Sequence, residues 1–235
     1  MPYNLYETRF IRESDPKTDH LVFPLPKEWW SRGYEYEWAK NFAHHNETVL
    51  DAACGLSHPL KFYLAQRCKE VHACDINPGI LSEQKIIQEL ESTLGNDQFN
   101  EKISCILKNI HFSQANITKL PYSAFHFDKI FCISVLEHLS SVQQKLALKE
   151  FAHILKPDGL IVLTFDFPTI DLNTFKEMIE TEEFDFATIH SFEQPSDVLS
   201  TNMYGKLQCY RAILKKKTST KQLLSHSIKT LKSIT

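Results

Sequence analysis

The chain reads as an α/β protein built on a doubly wound, mostly parallel sheet with helices on both faces. Three observations predict this class. Short apolar runs alternate with amphipathic ones through the middle of the chain, as successive βαβ units require. The run 48–53 carries a carboxylate, Asp51, and turns at once through Ala52, Ala53, Cys54 and Gly55. A second run, 70–75, also ends on a carboxylate, Asp75, about twenty residues beyond Gly55.

The elements follow in order. TVLDAA (48–53) is a buried strand and HPLKFYLAQR (58–67) a helix, with Ser57 of a type suited to its N-cap. EVHACD (70–75) is the second strand. GILSEQKIIQELESTLG (79–95) is a long helix closed by Gly95. NIHFSQAN (109–116) and DKIFCISV (128–135) are the third and fourth strands. A helix over 140–157 stops at Pro157 and Gly159, and GLIVLTFD (159–166) is the fifth strand. After a helix at 173–182, the runs 184–192 and 206–215 make two consecutive strands. These predict an antiparallel hairpin on one sheet edge, separated by a long loop at 193–205. The sheet is therefore seven-stranded.

Bulk properties bound the function. Length 235 and 43% hydrophobic residues give ample core for one domain with small additions. A formal charge of −3 argues against a nucleic-acid partner. The charge is uneven: the six lysines of 215–235, with no acid among them, leave the rest of the chain at −9. The six cysteines form no CxxC pair and no zinc spacing, which points to reduced thiols and a cytoplasmic location. No secretory leader and no membrane span is expected from the apolar runs.

In an open α/β sheet, ligands sit outside the carboxyl ends of the strands, where the strand order reverses. Small residues at Ala52, Ala53 and Gly55 let a ligand approach the backbone there. The turn is neither GxGxxG nor GxxxxGK[ST], which disfavours a dinucleotide or a P-loop nucleotide. The spacing of Asp75 suits a carboxylate reaching a ribose hydroxyl, here of a nucleoside without a diphosphate; alone, Asp75 also reads as a helix cap.

Taken together, VLDAACGLS, VHACDINP, SQANITKLPYSAFHFDKIFCISVLEHL and ILKPDGLIVLTF resemble, in that order, the successive motifs of the class I S-adenosylmethionine-dependent methyltransferases. The resemblance covers roughly residues 45–168, and the strand pair up to 214 fits that family's closing hairpin. It implies a Rossmann-like fold, S-adenosylmethionine as cofactor and S-adenosylhomocysteine as product. It also implies residue roles. Asp51, Ala53 and Gly55 would line the methionine end, with Cys54 in the same turn as a packing residue rather than a nucleophile. Asp75 would hold the ribose, Ile76 would lie against adenine, and Asn116 and Ile117 would recognise its edge. Ser134 would floor the site. The family often has glycine at the positions of Ala53 and Ser57, and Asp at that of Asn116; an Asn oxygen still accepts from an amino group.

Catalysis needs alignment and, for a hydroxyl or amine acceptor, a base. His138, just past the fourth strand, is the candidate; a capping or packing role is its alternative. The sequence around it, Ser134-Val-Leu-Glu137-His138, lacks the first carboxylate of an E-x-x-E-H metal pattern, so no metal is expected. Residues 1–45 form an aromatic cap containing Trp29, Trp30, Tyr34, Tyr36 and Trp38. Arg32 and Tyr36 are assigned there to the cofactor, Arg32 through its carboxylate, although the aromatics could equally staple the segment to the sheet. Deleting 1–38 is expected to leave a folded core. The domain spans 46–214.

The reading is a methyltransferase for an O or N atom of a small molecule, such as a sugar or secondary-metabolite intermediate. Two alternatives stand beside it: a lipid or quinone methyltransferase at a membrane surface, and a catalytically silent cofactor-binding scaffold. The tail, 215–235, reads as a basic amphipathic helix, docking on protein, lying on a membrane or fraying. The sequence sets no oligomeric state.

Overall fold

The structure, a computed structural model, describes residues 4–95 and 100–217. The basic amphipathic stretch expected at 222–234 lies outside the described residues. Among the described residues nine strands form one sheet. Along its main path the order is β1 (Arg9–Phe10), β9 (Leu207–Lys216), β6 (Leu155–Phe167), β5 (Phe127–Ile133), β2 (Thr48–Ala52), β3 (Glu70–Asp75), β4 (Ile110–Gln114). The block from β6 to β4 is parallel, β9 runs antiparallel to β6, and β1 runs antiparallel to β9. Chain order runs outward from β2 through β3 to β4 on one side and from β5 to β6 on the other. The switch point therefore lies between β2 and β5.

The central strands are covered on both faces, so they read as near-continuous apolar runs. Every residue of β2 is buried. Alternate side chains serve opposite layers. Leu50, Ile130 and Ile161 pack under α5 (Ser141–Ile154) and α6 (Leu172–Thr181), with Leu148, Phe151 and Phe175. Val49, Val71, Phe131 and Val162 pack with Phe62, Ile86 and Leu90 from α2 (Leu60–Ala65) and α3 (Glu83–Leu94).

The helix ends follow their sequence signals. Gly95 closes α3 at φ 64°, its N–H donating to the Glu91 carbonyl at 2.8 Å. Ser140 and Gln143 form a capping box at the start of α5, satisfying amides that the first turn leaves open.

Several expectations are corrected. The helix foreseen over 79–95 is broken: Pro78–Leu81 is a 3-10 turn, and Ser82, in extended conformation, caps α3 by accepting from the Lys85 N–H. Ser57 is no cap; α2 starts at Leu60 behind Pro59. A helix, α4 (Asn100–Leu107), went unforeseen although Ile103, Ile106 and Leu107 have helical spacing. β6 begins at Leu155 and runs through Pro157 and Gly159, with a register shift against β5.

The largest correction concerns the sheet edge. No simple terminal hairpin forms. The run 184–192 yields only β7 (Phe184–Phe186), and the expected loop contributes β8 (Ser200–Thr201). On its outer side β9 pairs in turn with β8, β1 and β7. The N-terminal segment thus supplies part of the sheet rather than only a cap. The Arg211 guanidinium donates to the carbonyls of Asn4 and Glu7, and the Trp38 indole donates to Leu5 at 2.8 Å. α1 (Arg32–Ala39) then packs on the face shared with α2.

Candidate active site

Beyond β2, the chain turns through two left-handed residues, Ala53 at φ 55° and Gly55 at φ 58°. Ser134, the first residue after β5, is left-handed as well, at φ 49°. For a residue with a Cβ this conformation costs about 1–2 kcal/mol. Two such residues, one on each side of the switch point, mark a backbone held for a purpose. Gly55 is required twice over, because a Cβ there would sit 2.6 Å from His58 Cδ2.

The turn is fixed from both sides. The Gly55 N–H donates to Asp75 Oδ2 at 2.8 Å, and the Asn77 N–H donates to Oδ1 at 2.8 Å. A carboxylate has about four acceptor positions, so Asp75 retains capacity for two hydroxyls. Lys61, fully buried, donates from Nζ to the carbonyls of Gly55 and His58, both at 2.7 Å. Burial pushes its ammonium pKa down, opposed by Cys54, Asp51 and Asp75. Asp51 is 4% exposed, and its Oδ2 has no hydrogen-bond partner. Burial raises its pKa to about 7, with Asp75 adding to the rise and Lys61 opposing it.

Across the crevice stands α1. Glu35 has no exposure. Its Oε1 accepts from the hydroxyls of Ser134 (2.6 Å) and Thr164 (2.5 Å); its Oε2 accepts from Arg32 Nη1 (2.5 Å) and Ser31 Oγ (3.0 Å). Arg32 Nη1 also reaches Ser134 Oγ at 2.5 Å. Burial opposes both charges, yet the ion pair and the hydroxyl donors outweigh it. Glu35 is held below its ordinary range and Arg32 above. The Tyr36 hydroxyl meets His58 Nδ1 at 2.8 Å, and the His58 ring stacks on Trp29 at 4.4 Å. Burial, then the Arg32 and Lys61 charges, push His58 down to about 3, so the imidazole is neutral.

A cavity of about 290 Å³ lies at the carboxyl ends of β2, β3 and β5. It brings together Arg32, Tyr36, Asp51, Ala53, Cys54, Gly55, Asp75, Ser134 and His138 from the sequence reading. Three expected residues stand elsewhere. Ile76 is 67% exposed beyond Asp75. Asn116 is exposed, and its Oδ1 accepts from the Thr118 N–H and hydroxyl. Ile117 points into the core, because the turn after β4 needs an apolar anchor there.

A second cavity, about 430 Å³, adjoins the first and shares Arg32, His58 and His138 with it. Trp29, Trp30, Tyr204, Glu137 and Asp166 contribute to its walls. Sequence reasoning missed Glu35, Lys61 and Asp166, gave His58 only a solvated or packing role, and set Glu137 beside the crevice without a role. His58 has no partner close in the chain, and nothing local marks Glu35 as buried. Among the described residues, Glu70, His72 and His126 have side-chain donor atoms within 4.8 Å of one another. They flank the start of β3, at the far end of that strand from Asp75.

A family model described as a methyltransferase domain matches residues 50–163. Residues 50–163 are a methyltransferase domain. The match begins within β2 and ends within β6, so it takes in the switch point and Asp75. The chain is 32% identical over 139 residues to the ubiquinone/menaquinone biosynthesis C-methyltransferase UbiE of Francisella tularensis subsp. tularensis, covering 57% of this chain and 49% of that protein. It is 30% identical over 161 residues to UbiE of Proteus mirabilis, covering 67% and 56%. The chain thus matches about half the length of these curated relatives. Among solved structures, the [4+2]-cyclase SpnF is similar, with TM-score 0.58 at 13% identity over 90% of this chain and 87% of that one. That likeness concerns the fold alone.

Proposed function

We propose that the chain is an S-adenosylmethionine-dependent methyltransferase that moves a methyl group to an O or N atom of a small molecule. The observation that carries the reading is a cavity with complementary charges at the switch point, joined to a second, aromatic-walled cavity. The methionine end of the cofactor is a zwitterion. Asp51, whose buried Oδ2 lacks a partner, suits its ammonium. Arg32 suits its carboxylate through Nε and Nη2, the nitrogens outside its bonds to Glu35 and Ser134. Asp75 suits the ribose hydroxyls. Cys54, Ala53 and Gly55 form the close-approach wall, and Tyr36 and Ser134 the opposite one. Ile76 and Asn116, exposed past β3 and β4, are left to the adenine end, and Ile117 only supports them from below.

The cofactor supplies an electrophilic methyl group on sulfonium. The protein then has to align the acceptor and exclude water. His138 lines both cavities, the position from which a base would take a proton from an acceptor hydroxyl or amine. The aromatic N-terminal segment serves as the wall between acceptor and solvent. The residue roles, the three-part division of the chain and a cytoplasmic small-molecule enzyme belong to this proposal.

The test is calorimetric titration with S-adenosylhomocysteine, followed by transfer of labelled methyl groups to a panel of small molecules. Binding without turnover favours the silent scaffold; no binding ends the reading. The names of the UbiE relatives favour a second reading, carbon methylation of a quinone-like acceptor, which the same panel distinguishes.

A further inference from the structure

We propose that the second cavity is an organic-cation site, and that the acceptor is a small molecule held there by a protonated amine. The inference rests on the methyltransferase reading for the word acceptor, but the cation site stands on its own observations. Glu137 is 92% buried, its residual exposure being 8%. Neither of its carboxylate oxygens has a hydrogen-bond partner, and Asp166 Oδ1 is likewise buried without one. Both acids line the 430 Å³ cavity. A buried acceptor left unsatisfied costs about 1–3 kcal/mol. Two unsatisfied acids on one cavity wall are therefore a site awaiting a donor.

The local charges say which donor. Arg32 also lines this cavity, but its charge is matched by Glu35, with which it is in contact at 2.5 Å. His58 is neutral there. Glu137 and Asp166, with Glu28 also among the lining residues, remain as an acidic set with no salt bridge to a cation among the described residues. Burial, with Asp166 and Glu35 adding to the rise and Arg32 opposing it, pushes Glu137 up to about 8. It pushes Asp166 up to about 6, with Glu35 adding and Arg32 opposing. A cation arriving between them supplies the compensating charge that the protein withholds. The remaining walls fit the same ligand. Trp29, Trp30 and Tyr204 line it with aromatic side chains, a type that attracts an ammonium and shelters its apolar body. A carboxylate ligand would meet two acids, whereas an ammonium favours their ionised forms as a neutral ligand does not.

The experiment uses the full chain with two probes of similar shape, benzylamine and benzyl alcohol. Saturating S-adenosylhomocysteine fills the neighbouring cavity, and its own binding is measured first. The expected result is benzylamine binding at least tenfold tighter than benzyl alcohol, with quenching of tryptophan fluorescence. Glu137→Gln combined with Asp166→Asn should bring the two probes to parity while circular dichroism stays unchanged. Parity in the unaltered chain overturns the proposal, as does a tenfold preference that survives in the folded double variant. Should the double variant fail to fold, the comparison on the unaltered chain still decides. If S-adenosylhomocysteine does not bind but the amine preference holds, the methyltransferase reading fails and the cation site stands. If it binds and the alcohol equals the amine, the cation site alone fails.

Discussion

Glu35 of α1 accepts a hydrogen bond at 2.6 Å from Ser134, the left-handed residue that follows β5, ninety-nine positions along the chain. This contact ties the N-terminal helix to the floor of the crevice. Removing one partner of a buried ion pair costs about 3–5 kcal/mol, because the other charge is left uncompensated. Glu35→Ala strands Arg32 and should lower the unfolding free energy by about 3 kcal/mol in urea. A loss under about 1 kcal/mol would show that the pair is not structural.

Gly55→Ala should fold with a loss of about 1–2 kcal/mol from the left-handed backbone. Its new Cβ displaces His58, and with it the bond to Tyr36 and the stack on Trp29. S-adenosylhomocysteine affinity should fall at least tenfold, by roughly 1.4 kcal/mol. Calorimetry finding unchanged affinity would remove the turn from the site.

Asp75→Ala removes the partner of two backbone amides and the proposed ribose acceptor. Cofactor affinity should weaken by roughly 1–3 kcal/mol. A folded variant that binds S-adenosylhomocysteine as tightly as the parent would reject the assignment.

Asp51 carries a pH signature. Its folded pKa, about 7, lies above the ordinary 3.8. Between those values the unfolded chain releases a proton that the folded chain keeps, so stability falls as pH rises through that window. Asp51→Asn should therefore raise the melting temperature of the ligand-free protein at pH 8 and leave it nearly unchanged at pH 4. The same variant should bind S-adenosylhomocysteine about tenfold more weakly. A variant less stable than the parent at pH 8 would contradict the unpartnered state of Oδ2.

Deleting residues 1–38 should unfold the protein, against the expectation that the sequence raises. The deletion removes β1 from β9, Glu35 from Ser134 and Thr164, and Trp38 from the core. A cooperative thermal transition in the truncated chain would restore the view of this segment as a detachable cap.

By itself the sequence determined the parallel centre of the sheet, the turn after β2 and the carboxylate ending β3. Those features are local: a strand buried on both faces must be apolar throughout, and a tight turn must use small residues. The same reading placed Gly55, Asp75 and His138 at one end of the sheet, and the family resemblance added Asp51 and Ser134. Only the tertiary structure decided which elements flank β9, because Arg9–Phe10 and Phe184–Phe186 are too short for a periodic signal and gain their hydrogen bonds from a distant strand. It also decided the charge pairing. Glu35 meets donors ninety-nine and one hundred twenty-nine positions away, while Glu137 and Asp166, which look no different in the sequence, find none. Whether a carboxylate is satisfied depends on what the fold packs against it, and spacing along the chain carries no record of that.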